Sequence, residues 1–259
     1  MSDITTWRDS WTGHKIFRLR HTGVERRPGL SIVIPVYNEL LNLEQLILEV
    51  SEAGDSLGID WELVLVDDGS TDGSTEFLKE RVSDKIRVLA FAYNSGQSAA
   101  MEAGMRCARY DKIATLDGDL QNDPKDIALL LPLLDRADMV CGIRAKRRDS
   151  AWRVYISKLA NAVRRKITDD GVTDTGCTLK VFRTEVADQL YFFKGAHRFM
   201  PAFARMAGYH IEETAVSHRA RVAGETKYTW HRRLRDTLPD LVGFLWMKSR
   251  YNRFEVHEL

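Results

Sequence analysis

Five short apolar runs constrain the fold more than any other feature of this chain: LSIVIPV, WELVLVDDG, KIRVLAFA, KIATLDGD and DMVCGI. They are rich in β-branched residues, and the segments between them carry helical spacing such as Leu43, Leu46, Ile47 and Val50. Alternation of this kind implies βαβ units. Because the runs are apolar on both faces, the spacing predicts an α/β domain whose mostly parallel sheet is covered by helices on each side. With 259 residues, 44% of them hydrophobic, the chain can bury a full core. We expect a basic N-terminal extension over residues 1–28, a main domain over 29–230, and an amphipathic C-terminal helix over 231–259.

Charge and cysteine usage remove several classes. Thirty-eight Lys plus Arg stand against thirty-seven Asp plus Glu, so the chain is not a polyelectrolyte built for nucleic acid, and any electrostatic function is local. RAKRR, VRRK and HRRLR would suit a nucleic-acid-binding module, which this balance and the acidic motifs below oppose. Cys107, Cys141 and Cys177 form no CxxC pair, against a disulfide framework or zinc site and in keeping with a reducing cytosol. The N-terminus lacks the apolar core of a signal peptide, and no apolar run approaches the roughly 20 residues that span a bilayer.

In open sheets of this kind ligands bind at the carboxyl ends of the strands. Three of those ends carry polar chemistry: Tyr37-Asn38-Glu39, Asp67-Asp68-Gly69-Ser70 and Asp117-Gly118-Asp119. They should lie along one rim. In an extended chain the carboxylates of Asp117 and Asp119 project to the same side, about 7 Å apart at the backbone. Two such oxygens can share a divalent ion such as Mg2+ with substrate phosphates, and Gln121 can add a carbonyl oxygen. The alternative, acids that start a helix before Pro124, suits Asn122 and Asp123 better than Asp117. Asp68 at its strand end can accept from a base or ribose, while Pro35, Tyr37 and Glu39 offer an aromatic face and an acceptor.

The ordered motifs IPVYNE, VDDGSTDGS and LDGDLQNDP resemble the family 2 glycosyltransferases of the GT-A fold, in the branch of dolichyl-phosphate mannose synthases and bacterial polyprenyl-phosphate glycosyltransferases. The match runs from Leu30 to Tyr228. The resemblance implies that Pro35, Tyr37, Glu39, Val66, Asp68, Asp117 and Gly118 hold a nucleotide sugar, and that Asp117, Asp119 and Gln121 bind Mg2+ or Mn2+. Gly118 stands where many relatives have alanine. Arg144 of CGIR, with Arg153 and Ser157 of WRVYISK, matches residues that contact the phosphate of a polyprenyl-phosphate acceptor. Arg221 and Lys227 of HRARVAGETKY match basic residues that close over the donor, so that Asp119, Arg221 and Lys227 form the implied catalytic set. DTGCTLKVFR is closer to the form found in bacterial aminoarabinose and polyprenyl-glucose transferases than to the SGFR form of mannose synthases, which favours UDP over GDP.

Beyond the resemblance, Arg153 and Ser157 are one helical turn apart and can grip one phosphate, although a solvated basic face has the same spacing. His197 and His218 have no partners at metal-ligand spacing and read as structural. A lipid phosphate is already an anion at neutral pH and needs no general base, which leads to an expected single displacement with inversion. A saccharide or other soluble acceptor is the competing reading. Leu238, Leu241, Val242, Leu245 and Trp246, flanked by basic residues, suit a membrane interface or packing on the domain. Trp7 and Trp11 add a second candidate contact. The expected position is peripheral on the cytosolic membrane face, or recruitment by a separate membrane protein.

Overall fold

The computed structural model describes residues 4–8, 15–19, 26–144, 168, 171–219 and 230–251, with backbone alone for 4–8, 15–19 and 230–238. In chain order the elements are β1 (Ile4–Arg8), β2 (Lys15–Leu19), β3 (Arg27–Val36), α1 (Leu40–Ser56), β4 (Trp61–Asp67), α2 (Ser74–Lys79), β5 (Ile86–Ala90), α3 (Gln97–Arg106) and β6 (Tyr110–Thr115). Then follow α4 (Ile127–Leu130) between two short 3-10 turns, β7 (Met139–Arg144), β8 (Lys180–Arg183), α5 (Thr184–Asp188), α6 (Met200–Met206), β9 (Ile211–Val216) and α7 (Trp230–Arg250).

Seven strands form one sheet in the order β5-β4-β3-β6-β8-β7-β9. All five apolar runs are strands of it. Pairings β5-β4, β4-β3, β3-β6 and β7-β9 are parallel, while β8 runs antiparallel between β6 and β7. The sheet is thus mostly parallel, with one reversed strand. β1 and β2 pair antiparallel with each other, Ile4 opposite Leu19 and Arg8 opposite Lys15, and form a separate two-stranded sheet.

Pro35 lies inside β3 without breaking the ladder. The Val33 carbonyl accepts from Leu116 N on the β6 side and the Val36 carbonyl from Asp68 N on the β4 side, so alternate residues bond opposite neighbours. Pro35 therefore faces β6, whose pairing ends at Val33 opposite Thr115, and its missing N–H forfeits no bond.

The core has two layers, one on each side of the sheet. Leu43, Leu46, Ile47 and Val50 of α1 pack with Ile32, Ile34, Leu63 and Leu65 on one side. On the other, Ala100, Met101 and Met105 of α3 pack with Val33, Val64 and Phe182, and this layer continues through Phe199, Phe203 and Phe244. Phe244 is fully buried, with ring centroids 5.5 Å from Phe199 and 5.4 Å from Phe203. Burying that side chain contributes about 2–3 kcal/mol toward docking α7. The apolar stripe read on this helix therefore divides: Leu241 turns inward with Phe244, while Val242, Leu245 and Trp246 are exposed. The Leu238 side chain lies outside the described residues, as do Trp11 and the side chain of Trp7. No helix among the described residues is long and apolar enough to cross a membrane. All three cysteines are free.

Candidate active site

The strand ends carrying the polar motifs converge on one rim, and their acids have distinct partners. Asn38, left-handed at φ 53, donates from its backbone N to Ser70 Oγ at 2.9 Å and accepts from Thr71 N at 2.8 Å. That ties the turn after β3 to the turn after β4. Gly69 sits at φ +71, and a Cβ there would fall 2.6 Å from the backbone of Tyr93, so this turn lies directly against the 93–96 loop.

Asp67 is fully buried and accepts from Ser70 N at 3.0 Å and from the Thr75 hydroxyl. Asp68, also buried, accepts from Ser95 N at 2.6 Å, Gly96 N at 2.8 Å and Asn94 Nδ2 at 3.0 Å. Burial outweighs these donors and raises its carboxyl above the ordinary range. Asp68 thus fastens the loop that begins α3. Glu39 Oε2 accepts from Asn42 Nδ2 at 2.7 Å, and Tyr37 and Pro35 are partly exposed at the rim. The Val66 side chain is buried among Val33 and Val64, so this residue faces the rim through its backbone alone.

The Asp117-Gly118-Asp119 segment is not the extended strand end expected. The chain turns at Gly118 and Asp119, and Leu120 is left-handed at φ 60 with its side chain buried in the core. A left-handed, buried leucine costs about 1–3 kcal/mol and persists where its surroundings over-determine it. Those surroundings are explicit. Gln121 N donates to Asp119 Oδ1 at 3.2 Å, Gln121 O accepts from Arg219 N at 2.8 Å, and Asn122 Nδ2 donates to Thr178 Oγ1 at 2.7 Å. Asp123 accepts from Lys125 N at 3.0 Å and caps the helical turn that Pro124 opens. The Arg219 guanidinium binds Glu49 at 2.7 Å and also binds Asp123.

Asp117 Oδ1 accepts from Gln97 Nε2 at 2.7 Å, so the first turn of α3 orients it. Asp117 and Asp119 supply hard carboxylate oxygens of the kind that Mg2+ and Mn2+ take together with phosphate oxygens and water. Among the described residues no three His, Cys, Asp or Glu cluster as a metal-ligand set. The donor set fits the ion. A Cβ on Gly118 would stand 3.5 Å from the Pro35 carbonyl and 3.8 Å from Ile34 and Leu46, ordinary contacts, so an alanine would fit the same turn.

Arg144, at the end of β7, is held bidentately by Asp174 of the DTGC segment, Nε and Nη2 each at 2.7 Å. Only 15% of its side chain is exposed. Two of its five N–H donors are so used, and the other three have no partner among the described residues. Asp117 is near enough to contribute to its charge environment. Gly176 backs the pair: a Cβ there would come within 2.6 Å of Arg144 Nη2. Arg153, Ser157, Arg221 and Lys227 lie outside the described residues.

Residues without an assigned role in the sequence also line this rim. Asp174 and Gln97 orient Arg144 and Asp117, and Ser98, next in α3, bonds His197 at 2.8 Å. Gln97 and Ser98 had one legible signal, the Asn94-Ser95-Gly96 turn at a strand-to-helix junction.

The pattern "Glycosyl transferase family 2" matches residues 31–191. A dodecaprenyl-phosphate galacturonate synthase of Rhizobium johnstonii is 39% identical over 236 residues, covering 87% of this chain and 70% of that protein. An undecaprenyl-phosphate 4-deoxy-4-formamido-L-arabinose transferase of Pseudomonas syringae is 38% identical over 204 residues, 77% of this chain. This chain spans only 60% of that transferase's length. Among solved structures, glucosyl-3-phosphoglycerate synthase from Mycobacterium tuberculosis, in complex with Mn2+, UDP and glucosyl-3-phosphoglycerate, superposes with a TM-score of 0.65 at 17% identity. That superposition covers 87% of this chain and 81% of the other, a likeness of fold that carries the GT-A assignment. With this fold, these motifs at its rim and these relatives, the chain belongs to glycosyl transferase family 2.

Proposed function

We propose that this chain transfers a sugar from a nucleotide-sugar donor, UDP-linked in preference to GDP-linked, to a polyprenyl phosphate. One observation carries the reading: a carboxylate pair and a half-neutralised arginine share one rim, Asp117 oriented by Gln97 and Arg144 oriented by Asp174. Carboxylates suit a metal-bridged diphosphate, and a guanidinium with donors to spare suits an anionic acceptor. The 39% and 38% identical relatives are, by name, polyprenyl-phosphate enzymes.

In this reading Pro35, Tyr37 and Glu39 receive the nucleotide, with Val66 and Asp68 shaping the floor beneath it. Asp117, Asp119 and Gln121 hold Mg2+ or Mn2+. When bound, the ion offsets charge developing on the departing diphosphate. Arg221 and Lys227 add positive charge on the donor side, while Arg144, Arg153 and Ser157 position the acceptor phosphate. Its oxygen is already anionic, so a single displacement with inversion needs no general base. Val242, Leu245 and Trp246, exposed beside Lys248 and Arg250, supply a face for the cytosolic membrane surface.

The test is transfer from a panel of UDP- and GDP-sugars to polyprenyl phosphate, with and without Mn2+ or Mg2+. Metal-dependent transfer from a UDP-sugar, lost in Asp119→Asn, supports the reading, and product of retained anomeric configuration overturns the single displacement. Arg153→Ala with full transfer would remove the phosphate-acceptor assignment.

A further inference from the structure

Ser98 and His197 form a polar pair that none of the roles above uses. Ser98 is 4% exposed, and its Oγ accepts from the main-chain N of Gly195 at 3.2 Å and of His197 at 3.3 Å. With both lone pairs engaged, the hydroxyl proton is directed to His197 Nδ1, 2.8 Å away. Nδ1 is therefore an acceptor, and the ring proton resides on Nε2.

Nothing among the described residues accepts from that Nε2–H. The residue as a whole is half-buried, and Nε2 is not among the fully enclosed polar atoms lacking a partner. Burial, followed by the charges of Arg198 and Lys180, lowers the imidazole pKa to about 3, which keeps the ring neutral at working pH.

The pair adjoins the carboxylate rim. In the first turn of α3, Gln97 reaches Asp117 and the next residue reaches His197. Lys180 lies opposite Thr115 in the β6-β8 register, two residues before Asp117, and its ammonium donates to the Cys177 carbonyl. A positioned, uncharged donor held by the α3 residue next to the one that contacts Asp117 matches a sugar oxygen, the group attached next to the diphosphate.

We infer that His197 Nε2 donates a hydrogen bond to an oxygen of the transferred sugar, and that Ser98 is the positioning residue fixing its tautomer. The inference rests on the nucleotide-sugar reading above. It makes His197 a substrate contact rather than a core histidine.

Calorimetric titration of the full chain with Mn2+, using UDP, UDP-glucose, UDP-galactose, UDP-glucuronate and UDP-galacturonate, tests it. The quantity read is the ratio of UDP-sugar Kd to UDP Kd for the tightest-binding sugar. His197→Leu is expected to raise that ratio about tenfold with the Kd for UDP unchanged, the loss of one well-made hydrogen bond. His197→Gln, whose amide N–H reaches a similar point, should stay within about threefold of the parent. Ser98→Ala should raise the ratio about threefold, and it serves as well if the leucine variant does not fold. An unchanged ratio in both His197→Leu and Ser98→Ala overturns the inference, as does equal weakening of UDP and UDP-sugar, which places the contact on the diphosphate. If the parent protein binds no UDP with Mn2+, the nucleotide-sugar reading falls and takes this inference with it. If UDP binds and only the ratio fails to move, the inference alone falls.

Discussion

Acid should destabilise this protein through His197 in a way that one substitution cancels. The folded ring has a pKa lowered to about 3 by burial and by Arg198 and Lys180, whereas in the unfolded chain it titrates near 6.5. Folding therefore favours the neutral form. The unfolded chain binds the extra proton below pH 6.5, so the stabilisation is full above that pH and declines as pH falls toward the folded value. Between pH 7 and pH 5 an unfolded imidazole gains protonation worth about 2 kcal/mol, while the folded ring at pKa about 3 stays neutral. The ring's partial exposure makes this an upper figure. The surrounding charges are Arg198, Lys180 and Asp240, which lies 3.8 Å from Arg198. Urea unfolding of the parent and His197→Gln at both pH values isolates the effect, because other acid-sensitive groups cancel between them. The parent should lose up to about 2 kcal/mol more than the variant, or roughly 4–8 °C in Tm for a domain of this size. Parallel pH profiles would mean that His197 takes up its proton in the folded state and would refute the Ser98–His197 geometry.

Gly176→Ala places a Cβ 2.6 Å from Arg144 Nη2 and should dislodge the Arg144–Asp174 pair. Steady-state kinetics should show the KM for polyprenyl phosphate rising about tenfold, the effect of about 1.4 kcal/mol, with donor Kd intact. Glu62, 2% exposed on β4, accepts from Ser31 Oγ at 2.7 Å, Arg109 N at 2.8 Å and Arg87 Nη1 at 2.9 Å. Glu62→Ala should lower stability to urea by about 2–4 kcal/mol, and a loss below about 0.5 kcal/mol would contradict that network's weight. On α7, Phe244→Ala should cost about 3–5 kcal/mol because the ring is fully buried. Trp246→Ala, at 62% exposure, should leave the urea midpoint in place and weaken flotation with anionic liposomes.

The sheet was legible wherever apolar residues ran together, and it was illegible where a strand is made by its neighbours. β8 is four residues long and begins with a lysine; only its insertion between β6 and β7 makes Lys180, Val181 and Phe182 a central strand. In β9, IEETAV, two adjacent acids sit on a mostly half-buried edge strand, and no apolar run marks it. Within the site, residue types announced chemistry but not partners. Asp68 reads as a ligand acceptor, yet its oxygens meet the 94–96 loop, a contact set by residues 26 to 28 positions away. His197 reads as structural because its partner, Ser98, is 99 residues distant. The turn at Leu120 has no sequence signature, since leucine rarely adopts a left-handed conformation.

Presenting polyprenyl phosphate and the corresponding polyprenol side by side decides whether the acceptor is a phosphate or an alcohol. The measurement is incorporation of radiolabel from a UDP-sugar into extractable lipid with Mn2+ present. Label is expected on the polyprenyl phosphate alone, lost with Asp119→Asn. Label on the polyprenol, or on a soluble saccharide in preference to either lipid, would contradict the phosphate-acceptor assignment.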